Sequence, residues 1–251
     1  MKTIFQDKIS AITANEEDAN YLVENAIDND SVRKVWRATS TDAIVTLTVD
    51  GGSDTVAIFG TNVGTITVTI KDITETTTIY GPTEYDLRGV DTLLEFMTDD
   101  SEGYTSVWAE YPLQSVSHKI IIEFEGAIGV VAEAGIIRAG LNSEYLNPQY
   151  GLSESYIDYS IVKYFNNDST FVNPKTRVRT FSGEFRIDRD AGFVTLLNQI
   201  VNTTGPLPLP WLIIDERQQT FSVYARLTSL FDANHVYVDD SVVGFDLLEM
   251  V

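Results

Sequence analysis

Along much of the chain, apolar and polar residues alternate with a period of two. That spacing turns one face of an extended strand into a core and the other toward solvent. Thr65-Ile66-Thr67-Val68-Thr69-Ile70 shows it most cleanly, with Ile66, Val68 and Ile70 on one face. Residues 43–49 give a second half-buried strand carrying Ile44, Leu47 and Val49, and Asp50-Gly51-Gly52 after it is a turn signal. Residues 55–60 are instead a short continuous apolar run, the pattern of a strand covered on both faces. Further strands are expected at 76–80, 106–111, 118–124 and 132–140. Short strands separated by Gly, Asp and Asn turns predict a β-sandwich.

The first 35 residues are polar and acidic, with no more than a helical turn expected within 20–27. Residues 141–152 contain Asn142, Asn147-Pro148 and Gly151 and read as a linker. Strands follow at 156–165, 170–172 and 175–187, the last with Val178, Phe181, Phe185 and Ile187 as its apolar positions. The period then changes. Phe193, Leu196, Leu197 and Ile200 fit the i, i+3, i+4, i+7 template behind Asp190 as N-cap, which predicts a helix over about 190–201. The proline-rich stretch 205–210 is expected to break regular structure. Strands at 211–215, 219–230 and 242–249 close the chain, with Asp239-Asp240 in the last turn. The expected fold class is mostly β: two β-sandwich-like domains, 1–140 and 141–251, the C-terminal one with a single packed helix.

Composition narrows the function classes. The formal net charge of the 251 residues is −20. An acidic surface repels phosphate, so no nucleic acid is expected as a partner. No run approaches the roughly 20 apolar residues of a membrane span, so no membrane insertion is expected. Residues 1–7 lack an apolar core of signal-peptide length, which points to assembly in a cytoplasm. Cysteine is absent, which removes disulfides, zinc–thiolate sites and thiol nucleophiles.

Catalytic constellations are not evident. His118 and His235 are the two histidines, and neither follows a Gly-x-Ser-x-Gly elbow; both read as surface or strand-end residues. A glycosidase would use paired carboxylates, but among 37 acidic residues chance pairs abound and none is singled out. Phosphate-binding glycine loops are missing. No enzyme activity and no cofactor are therefore expected. Asp99, Asp100 and Glu102 form the densest set of potential Ca²⁺ ligands, and Asp28-Asn29-Asp30 the second. Neither fits the twelve-residue EF-hand loop, and solvated acidic turns are the preferred reading.

Two sets of residues stand out as contact candidates. Lys175, Arg177 and Arg179 alternate along one strand face, either as a solvated face or as a docking stripe for an acidic neighbouring subunit. Trp36, Trp108, Tyr80, Tyr85, Tyr104 and Tyr111 could stack on sugar rings. Core packing is preferred for most of these aromatics, and Trp36 and Trp108 are kept as the glycan-contact candidates.

Certain segments resemble known families. Val35-Trp36-Arg37-Ala38-Thr39-Ser40, the strand at 43–49, the run 54–62 and the segment ending Gly135-Ile136-Ile137-Arg138-Ala139-Gly140 resemble discoidin-like β-sandwich modules of phage virion proteins, which often bind carbohydrate. Pro148-Gln149-Tyr150-Gly151, Arg177-Val178-Arg179-Thr180-Phe181-Ser182-Gly183, Pro210-Trp211-Leu212-Ile213-Ile214-Asp215, Tyr224-Ala225-Arg226-Leu227 and Phe245-Asp246-Leu247-Leu248-Glu249 follow an order similar to phage tail-tip proteins of the distal-tail type. The order of short motifs carries this resemblance, from about Trp36 to Glu249. It implies a virion structural subunit, assembled in the host cytoplasm, that packs with copies of itself into a ring, six copies favoured over three. The ring would join the tail tube to baseplate hub proteins, with Lys175, Arg177, Arg179 and Trp211 at subunit contacts. The N-terminal domain would sit outside the ring and either brace neighbours or touch host surface glycans. The alternatives are a free carbohydrate-binding module or host-receptor-binding protein and, third, a polysaccharide-degrading enzyme.

Overall fold

A computed structural model describes residues 1–28, 34–88, 104–126, 130–145, 151–164, 170–175, 177–188, 207–228, 232–234 and 240–250. The chain is mostly β. Its strands are β1 (Lys2–Asp7), β2 (Ile9–Ala14), β3 (Trp36–Arg37), β4 (Asp42–Val49), β5 (Ser53–Phe59), β6 (Thr65–Asp72), β7 (Thr78–Asp86), β8 (Ser106–Gln114), β9 (His118–Glu125), β10 (Glu133–Ala134) and β11 (Ile136–Glu144). Beyond these come β12 (Ser153–Asp158), β13 (Ile161–Tyr164), β14 (Thr170–Asn173), β15 (Arg177–Asp188), β16 (Leu209–Leu212), β17 (Ser222–Leu227), β18 (Asp232–Asn234) and β19 (Asp240–Glu249). Two compact units result. The first is Met1–Glu144 with Leu209–Val223, and the second is Tyr145–Pro208 with Tyr224–Val251. A single boundary after residue 140 therefore misses the return of Leu209–Val223 to the first unit.

The first unit is a sandwich of two antiparallel sheets. One runs β16–β1–β11–β5–β8 and the other β2–β4–β9–β6–β7. Its core is one apolar cluster. Val45 and Leu47 of β4 pair with Ile122 and Ile120 of β9, which pair in turn with Val68 and Ile70 of β6. Val56 and Ile58, Val107 and Ala109, and Ile137 and Ala139 complete it from the other sheet. Each fully buried Val, Leu, Ile or Phe adds roughly 1.5–3 kcal/mol relative to an exposed one.

Strand periodicity holds at 43–49, 55–60 and 65–70, with one correction to the inward set of β4, whereas the strand expected at 156–165 is two, β12 and β13, which pair with different partners. Ile66, Val68 and Ile70 are buried together, and residues 56–59 of β5 are covered on both faces. In β4 the inward set is Ala43, Val45, Leu47 and Val49, whereas Ile44 is 39% exposed. Residues 44 and 47 are an odd number apart and cannot share a strand face. The Asp50-Gly51-Gly52 turn is present. Gly52 has φ +88°, and a Cβ on Gly51 would lie 2.2 Å from the Ser115 carbonyl oxygen, so only glycine fits there.

The polar first 35 residues contribute more than a helical turn. Their strand β1 lies between β11 and β16, with Thr3, Ile4 and Phe5 buried, and β2 joins the opposite sheet. The chain crosses between sheets at Lys8. There Asp7 Oδ1 accepts from the Ile9 amide at 3.1 Å, and Lys8 N–H donates to Ala139 O at 2.7 Å.

In the second unit β15 pairs with β12 on one side and β19 on the other, and β19 also pairs with β18 and with residues 225–227 of β17. Phe181, Gly183 and Phe185 share the inward face of β15. Gly183 lies opposite Phe245, and a Cβ there would come within 3.2 Å of the Phe245 ring, so the glycine makes room for that ring. The helix expected at 190–201 lies outside the described residues. Residues 209–212, expected in part to break structure, form β16. Residues 219–221, expected as strand, belong to a single helical turn, α1 (Gln218–Phe221). Among the described residues no helix is long and apolar enough to cross a membrane.

His118 is the notable departure from the surface reading. It opens β9 fully buried, with Nε2 3.3 Å from Ser53 Oγ and 3.4 Å from the Tyr111 hydroxyl, and Nδ1 3.1 Å from Val116 O. Among the described residues no carboxylate hydrogen-bonds the ring. Burial, set against the bond to Val116, holds its pKa below 6.5. The folded imidazole thus stays neutral at a pH where the unfolded one takes up a proton, so the stability it supports is present above pH 6.5 and lost as pH falls below it. Urea unfolding at pH 7.5, 6.5 and 5.5 is expected to show wild type losing stability relative to His118→Gln, by up to about 1.4 kcal/mol per pH unit below 6.5. Parallel curves would refute the assignment.

Candidate functional site

The first unit holds a cavity of about 590 Å³ lined by Tyr85, Tyr104, Trp108, Asp215, Arg217, Gln218, Gln219 and Thr220, with Val107 beneath. Its aromatic members come from where β7 and β8, the edge strands of their sheets, end and begin. Along β8, Val107, Ala109 and Tyr111 turn into the core, which leaves Ser106, Trp108 and Glu110 on the outer face. Yet Trp108 is only 1% exposed. The cover is the returning segment. Ser106 Oγ donates to Gln219 O at 3.1 Å, and Gln219 Nε2 donates to Asp86 O at 2.7 Å. The segment folds on itself through Ile213 N–H to Phe221 O at 3.0 Å. Tyr104 is set beside the end of β7 by its backbone N–H, which donates a hydrogen bond to Leu87 O at 2.8 Å.

Charge in and behind the cavity is arranged around a buried lysine. Lys2 Nζ lies 2.7 Å from Glu110 Oε1 and 2.9 Å from Asp215 Oδ2. Glu110 Oε1 also accepts from the Trp108 indole at 3.1 Å. Burial opposes the charge of Lys2, but the hydrogen bonds to both carboxylates outweigh it and hold its pKa above the usual value. At Asp215 burial likewise opposes ionisation, and bonds from Lys2 and Gln218 outweigh it and keep the carboxyl below its usual range. Burial pushes the Tyr85 phenol up to about 12, so it stays a proton donor at neutral pH. Arg217 is exposed at the mouth. The cavity therefore presents the half-buried rings of Tyr85 and Tyr104 beside a covered Trp108, phenolic and amide donors, an ionised carboxylate and a guanidinium.

Of the residues singled out from sequence, Trp108, Tyr85 and Tyr104 meet here. Trp36 does not. It is fully buried in the core with its ring 5.1 Å from Phe124, and no face is left for a sugar. Tyr111 is buried beside Ser53, and Tyr80 lies elsewhere on β7. Trp211, a subunit-contact candidate, is 1% exposed inside the first unit and meets Phe5 edge-on at 6.4 Å. Within the cationic stripe, Lys175 precedes β15 and is exposed. Arg177 pairs with Asp158 at 3.4 Å, and Arg179 grips Glu249 with two bonds of 2.8 and 3.0 Å. Asp99, Asp100 and Glu102 lie outside the described residues, and Asp28 pairs with Lys34 at 2.8 Å. Among the described residues no group of three or more His, Asp or Glu side chains could hold a metal ion.

The polar lining from 215–220 was missed. Asp215-Glu216-Arg217-Gln218-Gln219-Thr220 is six polar residues between two apolar runs, a loop signal that the expectation of strands at 211–215 and 219–230 passed over.

No family model matches the chain, and no curated protein matches it. Among solved structures it is similar to a chain in the complex of reduced XRCC1 with the DNA pol beta catalytic domain (TM-score 0.40, 11% identity, 55% of this chain and 98% of that one). It is also similar to chitosan-binding module 1 of a chitosanase/glucanase from Paenibacillus sp. IK-5 (TM-score 0.38, 10% identity, 54% and 97%). A third is a carbohydrate-binding module of Clostridium perfringens in complex with GalNAc-β-1,3-galactose (TM-score 0.37, 17% identity, 52% and 94%).

The placement of Trp36 has a direct consequence. Trp36→Ala is expected to cost about 3–5 kcal/mol in denaturant unfolding, the toll of emptying a core site. A loss under about 1 kcal/mol would place the indole outside the core.

Proposed function

We propose that the chain is a non-enzymatic glycan-binding protein that takes a sugar into the Tyr85–Tyr104–Trp108 cavity. One observation carries the reading: the half-buried rings of Tyr85 and Tyr104 and a run of polar groups line a single cavity, with Trp108, 1% exposed, as its floor. Sugars present apolar C–H faces bounded by hydroxyls, so rings that stack and side chains that donate and accept are both needed. The cavity's size also falls in the range of small-ligand sites, about 300–1,000 Å³. Binding without turnover is supported by Asp215. Lys2 and Gln218 favour its ionised form, which has no proton to give as a general acid, and among the described residues no second carboxylate lines the cavity.

A second reading, a ring-forming virion tail-tip subunit that contacts tail-tube and hub proteins, comes from the motif order at 148–249. Exposed apolar side chains on the second unit favour it. Tyr156 is 61% and Phe171 54% exposed, with Ile157, Tyr159 and Ile161 also exposed between them in sequence. Exposed apolar side chains of this size suit packing of identical copies. The cationic stripe supports it less, because Arg177 and Arg179 already have carboxylate partners within the chain.

Two measurements separate these readings. In calorimetric titration with glucose, galactose, N-acetylglucosamine and their β-linked disaccharides, at least one sugar is expected to bind. Tyr104→Ala and Arg217→Ala should each weaken that sugar about tenfold or more, near 1.4 kcal/mol, with melting temperature little changed. Absence of binding across the panel, or unaltered affinity in both variants, would defeat the glycan reading. Light scattering on the purified chain is expected to give a multiple of 27.9 kDa, six-fold by preference, if the ring assembles unaided. A monomer at high concentration would argue against self-assembly of the ring.

A further inference from the structure

The glycan cavity exists because a segment 100 residues away in sequence closes over β8, and one side chain joins the two by charge. Lys2 is 8% exposed at its side chain, with Glu110 of β8 and Asp215 of the returning segment both within 3 Å of its Nζ. Two carboxylates that share one nitrogen lie close enough to repel strongly once that cation is removed. Neutral hydrogen bonds also fasten the segment, among them Thr3 Oγ1 to Pro210 O at 2.8 Å, Ser106 Oγ to Gln219 O, and Gln219 Nε2 to Asp86 O, and the N-terminal ammonium adds to the positive charge that faces Asp215. The two carboxylates also occupy functional positions. Asp215 lines the cavity and opens the run 215–220, and Glu110 holds the Trp108 indole N–H.

We propose that Lys2 is a positioning residue for the glycan site: its ammonium clamps Asp215 to Glu110, which closes residues 213–221 over β8 and fixes the Trp108 ring as a wall of the cavity. This rests on the glycan reading for its purpose but not for its geometry. Lys2 touches no ligand, since it lies behind the lining. The clamp acts through charge, so an uncharged side chain of similar length and apolarity cannot replace it. Removal of the ammonium leaves a carboxylate pair that drives the segment outward, and the cavity loses Asp215, Arg217, Gln218, Gln219 and Thr220 together.

The test is amide hydrogen exchange of the whole chain, wild type against Lys2→Met, with no ligand added. Exchange at 213–221 is expected to speed up at least tenfold, while β4, β6 and β9 stay within about twofold. Adding Asp215→Asn to Lys2→Met removes the repulsion and is expected to slow the segment again. Unchanged exchange at 213–221, or an equal rise throughout the first unit, overturns the proposal. Should Lys2→Met fail to fold, Asp215→Asn alone carries the test, because Lys2 keeps Glu110 and the segment loses its ionic fastener. Faster exchange confined to 213–221 supports the clamp, and wild-type exchange there refutes it. The tightest-binding sugar of the panel should then bind Lys2→Met at least tenfold more weakly. If no sugar binds wild type, the proposed function falls, while the exchange data still judge Lys2.

Discussion

A tryptophan and a lysine on the outer face of one sheet have to leave water together, and the first unit is organised around how that is done. The sandwich core is complete without them. Val45, Leu47, Ile120, Ile122, Val68 and Ile70 fill it from one sheet, and β5, β8 and β11 from the other. Trp108 and Lys2 face away from that core, yet are 1% and 7% exposed. An indole can be covered by any apolar surface, but an ammonium needs carboxylates where it is covered. Leu209–Val223 supplies both kinds of cover. It brings Asp215 to Lys2 and lays α1 across β8, and the space left between is the cavity.

In a chain of net charge −20 the cations are few, and those described are mostly committed at home. Arg37 holds Glu133, Arg88 holds Asp86, Arg177 holds Asp158 and Arg179 holds Glu249. The exposed pairs among them, Arg88–Asp86 and Arg177–Asp158, add about 0–1 kcal/mol each, so they say little about stability. They matter for recognition, because a cation already paired offers less to a partner. Lys2 differs from them in burial and in serving two carboxylates. Arg217 differs in standing exposed beside a cavity of aromatic rings.

Much of the sandwich was legible as a pattern of alternation, because period two depends only on neighbours along the strand. The buried set Ile66, Val68 and Ile70, the fully covered β5 and the Gly51-Gly52 turn all follow from local rules. Where the pattern was short or broken, it misled. The apolar part of β1 is only Ile4-Phe5 among polar residues, and its burial comes from pairing with β11 and β16, over 130 residues away. Ile44 was grouped with Leu47 against the strand period. The site was half legible. Tyr85, Tyr104 and Trp108 stood among six aromatic candidates, but nothing local separates Trp108, on an outer face later covered, from Trp36, in the core. The sorting agent is the return of 209–223, a long-range event. The polar run 215–220 was visible as composition and lost its meaning once it was assigned to strands.

The central claim, that closure of the returning segment over β8 creates a sugar site, is tested most directly by following the indole N–H resonances of the three tryptophans during a sugar titration. Trp108 is expected to shift in a saturable manner together with the backbone amides of 215–220, while Trp36 and Trp211 stay in place. Saturable shifts confined to other loops of the first unit, with Trp108 and 215–220 unmoved, would contradict it.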